Sequence, residues 1–279
     1  MQVLPRGARV AVPNFTFTAT LNAVVQAGMT PVIFDCDPLT WQIDQTLLAE
    51  HEAEYDGIIV VSPFGYEVDV ETYDHRFGKK PIVYDFAGAW GNKISRFHPT
   101  TFSLHATKTL PIGEGGLVMF PEKHMKANAE ALINFNFNQF KQPMNEFGFN
   151  GKMDELHASV LCAQLDRLEE LQKTTELSIT VVASLLAYRT FIRLPRNIKG
   201  NLQLPVVAFA HFSEAEDLIR KYGIETRRYY TPLMSEVFPQ FKHVQNFLPS
   251  PFTVALPRPL NREEAYEIID TVLKVIGGR

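Results

Sequence analysis

Lys108 closes the stretch Phe102, Ser103, Leu104, His105, Ala106, Thr107, Lys108, just past a segment with strand character. In open α/β sheets, ligands sit outside the carboxyl ends of the strands. A lysine there, among Phe102, Leu104 and Leu110, loses proton affinity by desolvation and becomes a nucleophilic amine. The competing reading is a surface lysine with an apolar stem, the commoner state of a lone lysine. Asp85 ends a second apolar run, Ile82, Val83 and Tyr84, and precedes the small residues Ala87, Gly88, Ala89 and Gly91. A carboxylate at that end reaches into the crevice, and small neighbours let a planar ligand approach. The alternative is a helix N-cap. Together the two residues say more than either alone. An aspartate at one strand end and a lysine at the next, 23 residues later, is the pair that pyridoxal phosphate requires. The amine forms the Schiff base, and the carboxylate keeps the pyridine nitrogen protonated so that the ring acts as an electron sink.

Other chemistry is less well supported. Gly113, Glu114, Gly115 and Gly116 read as a tight turn between two strands, with glycine supplying positive φ. No helix follows directly, so this is not a dinucleotide fingerprint. His105, His157 and the remaining histidines show no metal spacing, and no metal is expected. Ser103 beside His105 has no G-x-S-x-G elbow around it, which argues against a hydrolase.

The elements that must position these residues alternate along the first two thirds of the chain. Ala8 to Val12, Pro31 to Phe34, Gly57 to Val61, Pro81 to Tyr84, Thr101 to Leu104 and Gly116 to Phe120 read as strands, and Thr18 to Gln26 reads as a helix ended by Gly28. The strands are short, β-branched and continuously apolar, the pattern of a parallel sheet buried on both faces. The α/β class follows: a mostly parallel sheet flanked by helices. A long helix is expected from Met153 into the 180s, with Met153, Leu156, Val160, Leu161, Leu165 and Leu168 on one face. After about Arg189 the character changes. Val206 to Ala210 and Glu225 to Tyr230 look like strands, while Ser213 to Glu216 and Asn261 to Glu264 form capping boxes. We expect a large domain over residues 1–188 and a smaller α+β domain over 189–279.

The 279 residues carry 27 Lys and Arg against 31 Asp and Glu, a net charge of −4. That excludes a nucleic-acid binder built on bulk positive charge. No apolar run approaches a membrane span, and the opening Met-Gln-Val-Leu-Pro-Arg has no apolar h-region of a signal peptide. Two cysteines, Cys36 and Cys162, cannot build a disulfide framework, and packing is their expected role. A cytoplasmic globular protein is expected.

Several separate motifs, spread over nearly the whole chain, resemble the DegT/DnrJ/EryC1/StrS sugar-nucleotide aminotransferases, which are fold-type-I pyridoxal-phosphate enzymes. Pro13, Thr16, Phe17, Ala19, Thr20 and Asn22 resemble the family's P-x-x-T-[FW]-x-[AS]-T-x-N segment. Pro31 to Asp35, Thr40 to Asp44, and Gly65 with Asp69 match the strand, loop and turn that follow. Asp85 to Gly91 resembles D-x-A-[QH]-A-x-G. The most specific stretch is Phe102 to Lys108 with Gly113 to Gly116, resembling F-S-x-[HN]-x-x-K…G-E-G-G. Gly148 to Glu155 resembles G-x-N-x-[RK]-M-x-E, and Gly223 to Arg227 and Leu256-Pro257 match the small domain.

The resemblance implies roles at the matching positions. Lys108 would bind pyridoxal 5'-phosphate covalently and then shuttle the proton, while Asp85 would pair with the pyridine nitrogen. Phe17 would stack on the ring, unless it is ordinary core, and Ser103 would donate to the phosphate. Asn150 would reach the phosphate of the other subunit's cofactor, implying a homodimer with shared sites; an Asx turn is its alternative. His105 and Tyr230 would line the sugar side. The implied activity moves an amino group from an amino acid, expected to be L-glutamate, to a nucleotide-linked keto sugar, expected to be a 4-keto-6-deoxyhexose, for amino-sugar and surface-polysaccharide synthesis.

Two departures stand out. Gly88 occupies a position where many relatives have Gln or His. Relatives also carry a βα unit ahead of the Ala8 to Val12 strand, with an S-G-T turn whose N–H groups hold the phosphate. The expectation is a truncated gene product or weak cofactor binding. Two rivals stay open. One is a sugar dehydratase using pyridoxamine phosphate, whose relatives have histidine in place of the lysine, so Lys108 argues against it. The other is a non-catalytic relative acting as a binding or regulatory subunit, since fold does not secure function.

Overall fold

The structure is a computed structural model, and it describes residues 4–138, 140–142, 144, 148–188, 192–195, 198–209, 215–244 and 253–277. The expected features at Arg189, Ala210 and Ser213 lie outside the described residues. The strands are β1 (Arg9–Pro13), β2 (Thr30–Phe34), β3 (Gly57–Val61), β4 (Ile82–Asp85), β5 (Thr100–Ser103), β6 (Gly116–Met119), β7 (Ile192–Arg193), β8 (Val206–Phe209), β9 (Arg227–Arg228), β10 (Lys242–Val244) and β11 (Thr253–Ala255). The α-helices are α1 (Thr18–Gln26), α2 (Gln45–Glu50), α3 (Val70–Phe77), α4 (Lys123–Leu132), α5 (Glu155–Asp166), α6 (Leu168–Ser184), α7 (Ala215–Lys221), α8 (Met234–Val237) and α9 (Arg262–Gly277).

One sheet runs β10-β2-β1-β3-β4-β5-β6 and is parallel throughout except for β6, which is antiparallel to β5. Its strands divide their side chains between two cores, as the period of two requires. Ala11, Val32, Phe34, Ile58 and Val60 join one cluster, and Val10, Val12, Ile33, Ile59 and Val61 join the other. Each such buried Val, Ile or Phe side chain contributes about 1.5–3 kcal/mol. Aspartates start three of the helices: Asp44, Asp69 and Asp154 accept from backbone N–H groups of α2, α3 and α5.

The second sheet is antiparallel, β7-β8-β11-β9. Helices α6 and α9 share its core, with Val181, Val182, Ile268, Val272 and Ile276 around β8. This core continues into the loops of the first sheet through Phe15, Trp41 and Phe64. Strand β10, within the span assigned to the smaller domain, completes the edge of the larger sheet beside β2.

Four expectations need correction. Strand β1 is shifted one residue from the expected Ala8 to Val12, running Arg9–Pro13 with Pro13 paired to Phe34. Strand β6 runs against β5 and is largely exposed, because the connection from Ser103 to Gly116 holds no crossover helix and the chain returns directly. The long helix breaks at Arg167, which caps both α5 and α6 with non-helical φ and ψ of −102° and 15°. The face with Leu156, Val160 and Leu165 is exposed rather than buried, and α5 contributes no buried residue. The Glu225 to Tyr230 strand is reduced to Arg227 and Arg228.

Candidate active site

The strand order reverses direction at β1, whose neighbours β2 and β3 follow it on opposite sides. The crevice at such a switch point lies beyond the carboxyl ends of the strands. Phe17 follows β1, Phe64 follows β3, Asp85 ends β4 and Lys108 follows β5. Four adjacent strands thus bring these residues to one edge.

Lys108 sits in a loop folded back on itself. Ala106 N–H donates to Gly113 O at 2.8 Å, Leu104 N–H to Gly115 O at 2.9 Å and Ile112 N–H to Leu104 O at 2.9 Å. Gly113 has φ 103°, the left-handed region that glycine adopts without strain, as the turn reading anticipates. Buried Leu104, Leu110 and Ile112 floor the loop. Burial pushes the Lys108 amine below its ordinary pKa, and the charge of Asp85 partly opposes this. The lysine is therefore not a simple surface residue.

Asp85 is fixed from two sides. Thr20 Oγ1 on α1 donates to its Oδ2 at 2.8 Å, and Ala87 N–H donates to its Oδ1 at 3.1 Å. Thr20 is itself buried and shares a hydroxyl contact with Thr16 at 3.0 Å. Tyr230 reaches the same place from the second sheet's side of the molecule. Its ring stacks on Phe64 at 5.4 Å and 11° and meets Phe15 edge-on at 5.0 Å. Burial first, and then the charge of Asp85, push its phenol well above the ordinary range.

The remaining expected site residues are less enclosed. Phe17 is 60% exposed at the start of α1, where its carbonyl accepts from Thr20 N–H at 3.1 Å. It is thus not ordinary core. Ser103 Oγ accepts from His105 N–H at 3.3 Å. The His105 ring turns to Thr107 and Glu114, with Nε2 3.6 Å from Glu114 Oε1. Asn150 is exposed, at a backbone bridge to Asn134.

Three contributors were not singled out from the sequence. Gln203 is 7% exposed and spans the lysine loop, with Oε1 accepting from Lys108 Nζ at 3.4 Å and Nε2 donating to Thr107 O at 2.7 Å. Arg258 Nε donates to Gln203 O at 2.7 Å. Burial lowers its pKa, and among the described residues no carboxylate lies within ion-pair distance of it. Thr20 belongs to a motif but received no role. A cleft of about 670 Å³ runs from Thr107 and Gln203 to Arg227, Tyr229 and Arg258, within the size range of small-molecule sites.

Comparison with known proteins bears on this arrangement. Residues 1–256 match the DegT/DnrJ/EryC1/StrS aminotransferase family. The chain belongs to that family. Protein Rv3402c of Mycobacterium tuberculosis (strain ATCC 25618 / H37Rv) is 26% identical over 265 residues, covering 85% of this chain and 60% of that protein. The chain therefore spans about 60% of the length of the first curated relatives it matches. The dTDP-4-amino-4,6-dideoxy-D-glucose transaminase of Shigella dysenteriae is 26% identical over 269 residues, 85% of this chain and 69% of the relative. Among solved structures, Helicobacter pylori PseC, an aminotransferase involved in the biosynthesis of pseudoaminic acid, superposes with a TM-score of 0.83. It is 20% identical and covers 98% of this chain and 81% of its own. These likenesses establish the fold of the family's fold-type-I members, a mostly parallel central sheet flanked by helices. No helix among the described residues is long and apolar enough to cross a membrane.

Proposed function

We propose that this protein is a pyridoxal-phosphate aminotransferase that moves an amino group from an amino acid, L-glutamate, to a nucleotide-linked keto sugar of the 4-keto-6-deoxyhexose type. The observation that carries the reading is a desolvated lysine amine within the field of a carboxylate, held at the ends of neighbouring strands β5 and β4. Family membership and the sugar transaminase among the relatives support it.

The residues present fit the cofactor. Lys108 supplies an amine whose proton affinity is lowered by desolvation. Asp85 supplies a carboxylate oriented by Thr20 and Ala87. Phe17 offers an exposed ring face, and Ser103 a hydroxyl whose proton is free to reach a phosphate. When bound, pyridoxal phosphate supplies an electron sink for charge developing at the substrate's carbon. Lys108 Nζ would hold its aldehyde and carry the proton in each half-reaction, and Asp85 would pair with the ring nitrogen. Arg258, a desolvated guanidinium at the cleft, receives an anionic group of donor or sugar nucleotide. His105 and Tyr230 border the sugar side.

We further propose a homodimer. Exposed apolar side chains concentrate on β6, α5 and the segment between them, including Met119, Phe149, Leu156 and Val160. Such a face marks an interaction site, and Asn150 lies within it in sequence. The function is tested by adding L-glutamate to the protein loaded with pyridoxal phosphate. Conversion of the bound cofactor to pyridoxamine phosphate, with release of 2-oxoglutarate, is expected; retention of the pyridoxal form with every amino acid tried would contradict the reading.

A further inference from the structure

Gly88 and Gln203 meet across the crevice in a way that neither explains alone. A Cβ placed on Gly88 would stand 2.7 Å from Gln203 Oε1, closer than a real Cβ contact allows. The carboxamide therefore occupies the space that a side chain at position 88 would take. Gln203 is also delivered there deliberately by the backbone. Its N–H donates to Phe64 O at 2.9 Å, and its carbonyl accepts from Arg258 Nε at 2.7 Å. Just before it, Glu67 N–H donates to Lys199 O at 2.9 Å and Asn201 N–H to Asn92 Oδ1 at 2.7 Å. Gly65 has φ 94°, and any side chain there would collide with the carbonyl of Asn201. The segment is stitched onto the loops after β3 and β4, and it points one buried amide at the lysine.

We propose that Gln203 is the positioning residue of the Lys108 amine, and that Gly88 is glycine to admit it. The proposal deepens the functional reading above and rests on its assignment of Lys108. The amide fixes the direction of the amine: Nε2 is anchored on Thr107 O, so Oε1 faces Nζ and accepts one of its hydrogens. When the amine is neutral, this bond leaves its lone pair free for an incoming carbonyl. An acceptor at Nζ also favours the ammonium form against the surrounding desolvation. Among neighbouring charged and titratable groups, Asp85 acts directly on Lys108 and Tyr230 faces Asp85. Arg258 lies behind the Gln203 carbonyl, and His105 turns toward Glu114.

The test uses the full chain freed of cofactor. Competitive labelling with acetic anhydride across pH, read by mass spectrometry on the Lys108 peptide, gives the titration midpoint of its amine. Q203L removes the acceptor at similar size, and its midpoint should fall by about 0.4 to 1 pH unit, the equivalent of one net hydrogen bond. Q203E should raise it, which keeps the test open if Q203L does not fold. A midpoint unmoved by Q203L, or not raised by Q203E, would overturn the proposal. A second arm compares melting temperatures. G88A should be destabilising in the parent and harmless in a Q203A background; equal penalties in both would also overturn it. Neither arm needs the cofactor. Failure of the parent protein to take up pyridoxal phosphate on Lys108 would sink the functional reading while leaving the role of Gln203 decided on its own.

Discussion

At Lys108 two effects oppose each other. Burial disfavours the ammonium, the charge of Asp85 favours it, and burial wins. The folded-state pKa therefore lies below the ordinary 10.5. Between the two values the unfolded chain binds more protons than the folded one, so stability rises with pH across that window. Below the folded-state value the native protein carries the full penalty of a poorly solvated cation. Replacing Lys108 by Met should thus stabilise the cofactor-free protein at neutral pH, with the difference closing as pH rises toward 10.5. Urea denaturation at several pH values measures it, and a variant less stable at pH 7 would contradict the account. This is the sign expected where function is maintained against stability. Lys108 and Asp85 were readable as chemistry because each ends an apolar run. Gln203 was not. It is neutral, 95 residues from the lysine, and nothing in its local sequence marks it. Only the side-chain-free position at Gly88 hinted that something else must fill the crevice.

Elements were legible where local chemistry decides them. The Asn261 to Glu264 capping box is half realised: Glu264 N–H donates to Asn261 Oδ1 at 2.9 Å, while the Glu264 carboxylate accepts from Leu260 N–H, one residue before the N-cap, also at 2.9 Å. It opens α9, whose buried face of Ile268, Val272 and Ile276 supports the second sheet. Asn261→Ala should cost about 1 kcal/mol in chemical denaturation; no loss would show that packing alone sets the helix start. Strand β3 and helix α1 match their expected bounds, because glycine, proline and continuous apolar character delimit them. The exposure of β6 was not legible, since an apolar run does not report what covers it. Nor was the break at Arg167, where no glycine or proline marks the sequence. Cys36 is buried, and its thiol is pushed up to about 12, consistent with packing; Cys162 is exposed, so packing does not explain it.

Across the whole molecule, long-range order escaped the sequence most. Strand β10 pairs with β2, some two hundred residues earlier, and the buried Asn14 and Asp35 with half-buried His243 tie the two, with Asn14 Nδ2 donating to Asp35 Oδ1 at 2.9 Å. The exposed face of α5 has a sequence pattern indistinguishable from an ordinary buried helix face, because periodicity reports amphipathicity and not what covers it. Leu156, 81% exposed, is the most exposed apolar residue of that helix. If the face joins two copies, Leu156→Arg should convert a dimer to a monomer in sedimentation velocity at micromolar concentration, without loss of helical content. A parent protein that is already monomeric would contradict the proposed assembly.

The central claim is that the Lys108 amine carries the cofactor with Asp85 beside it. Its most direct measurement is borohydride reduction of the full chain incubated with pyridoxal phosphate, followed by proteolysis and peptide mass spectrometry. The account expects a single phosphopyridoxyl modification on the peptide containing Lys108, weakened by Asp85→Asn and absent in Lys108→Met. An unmodified Lys108 peptide, or the same modification spread over other lysines, would contradict it.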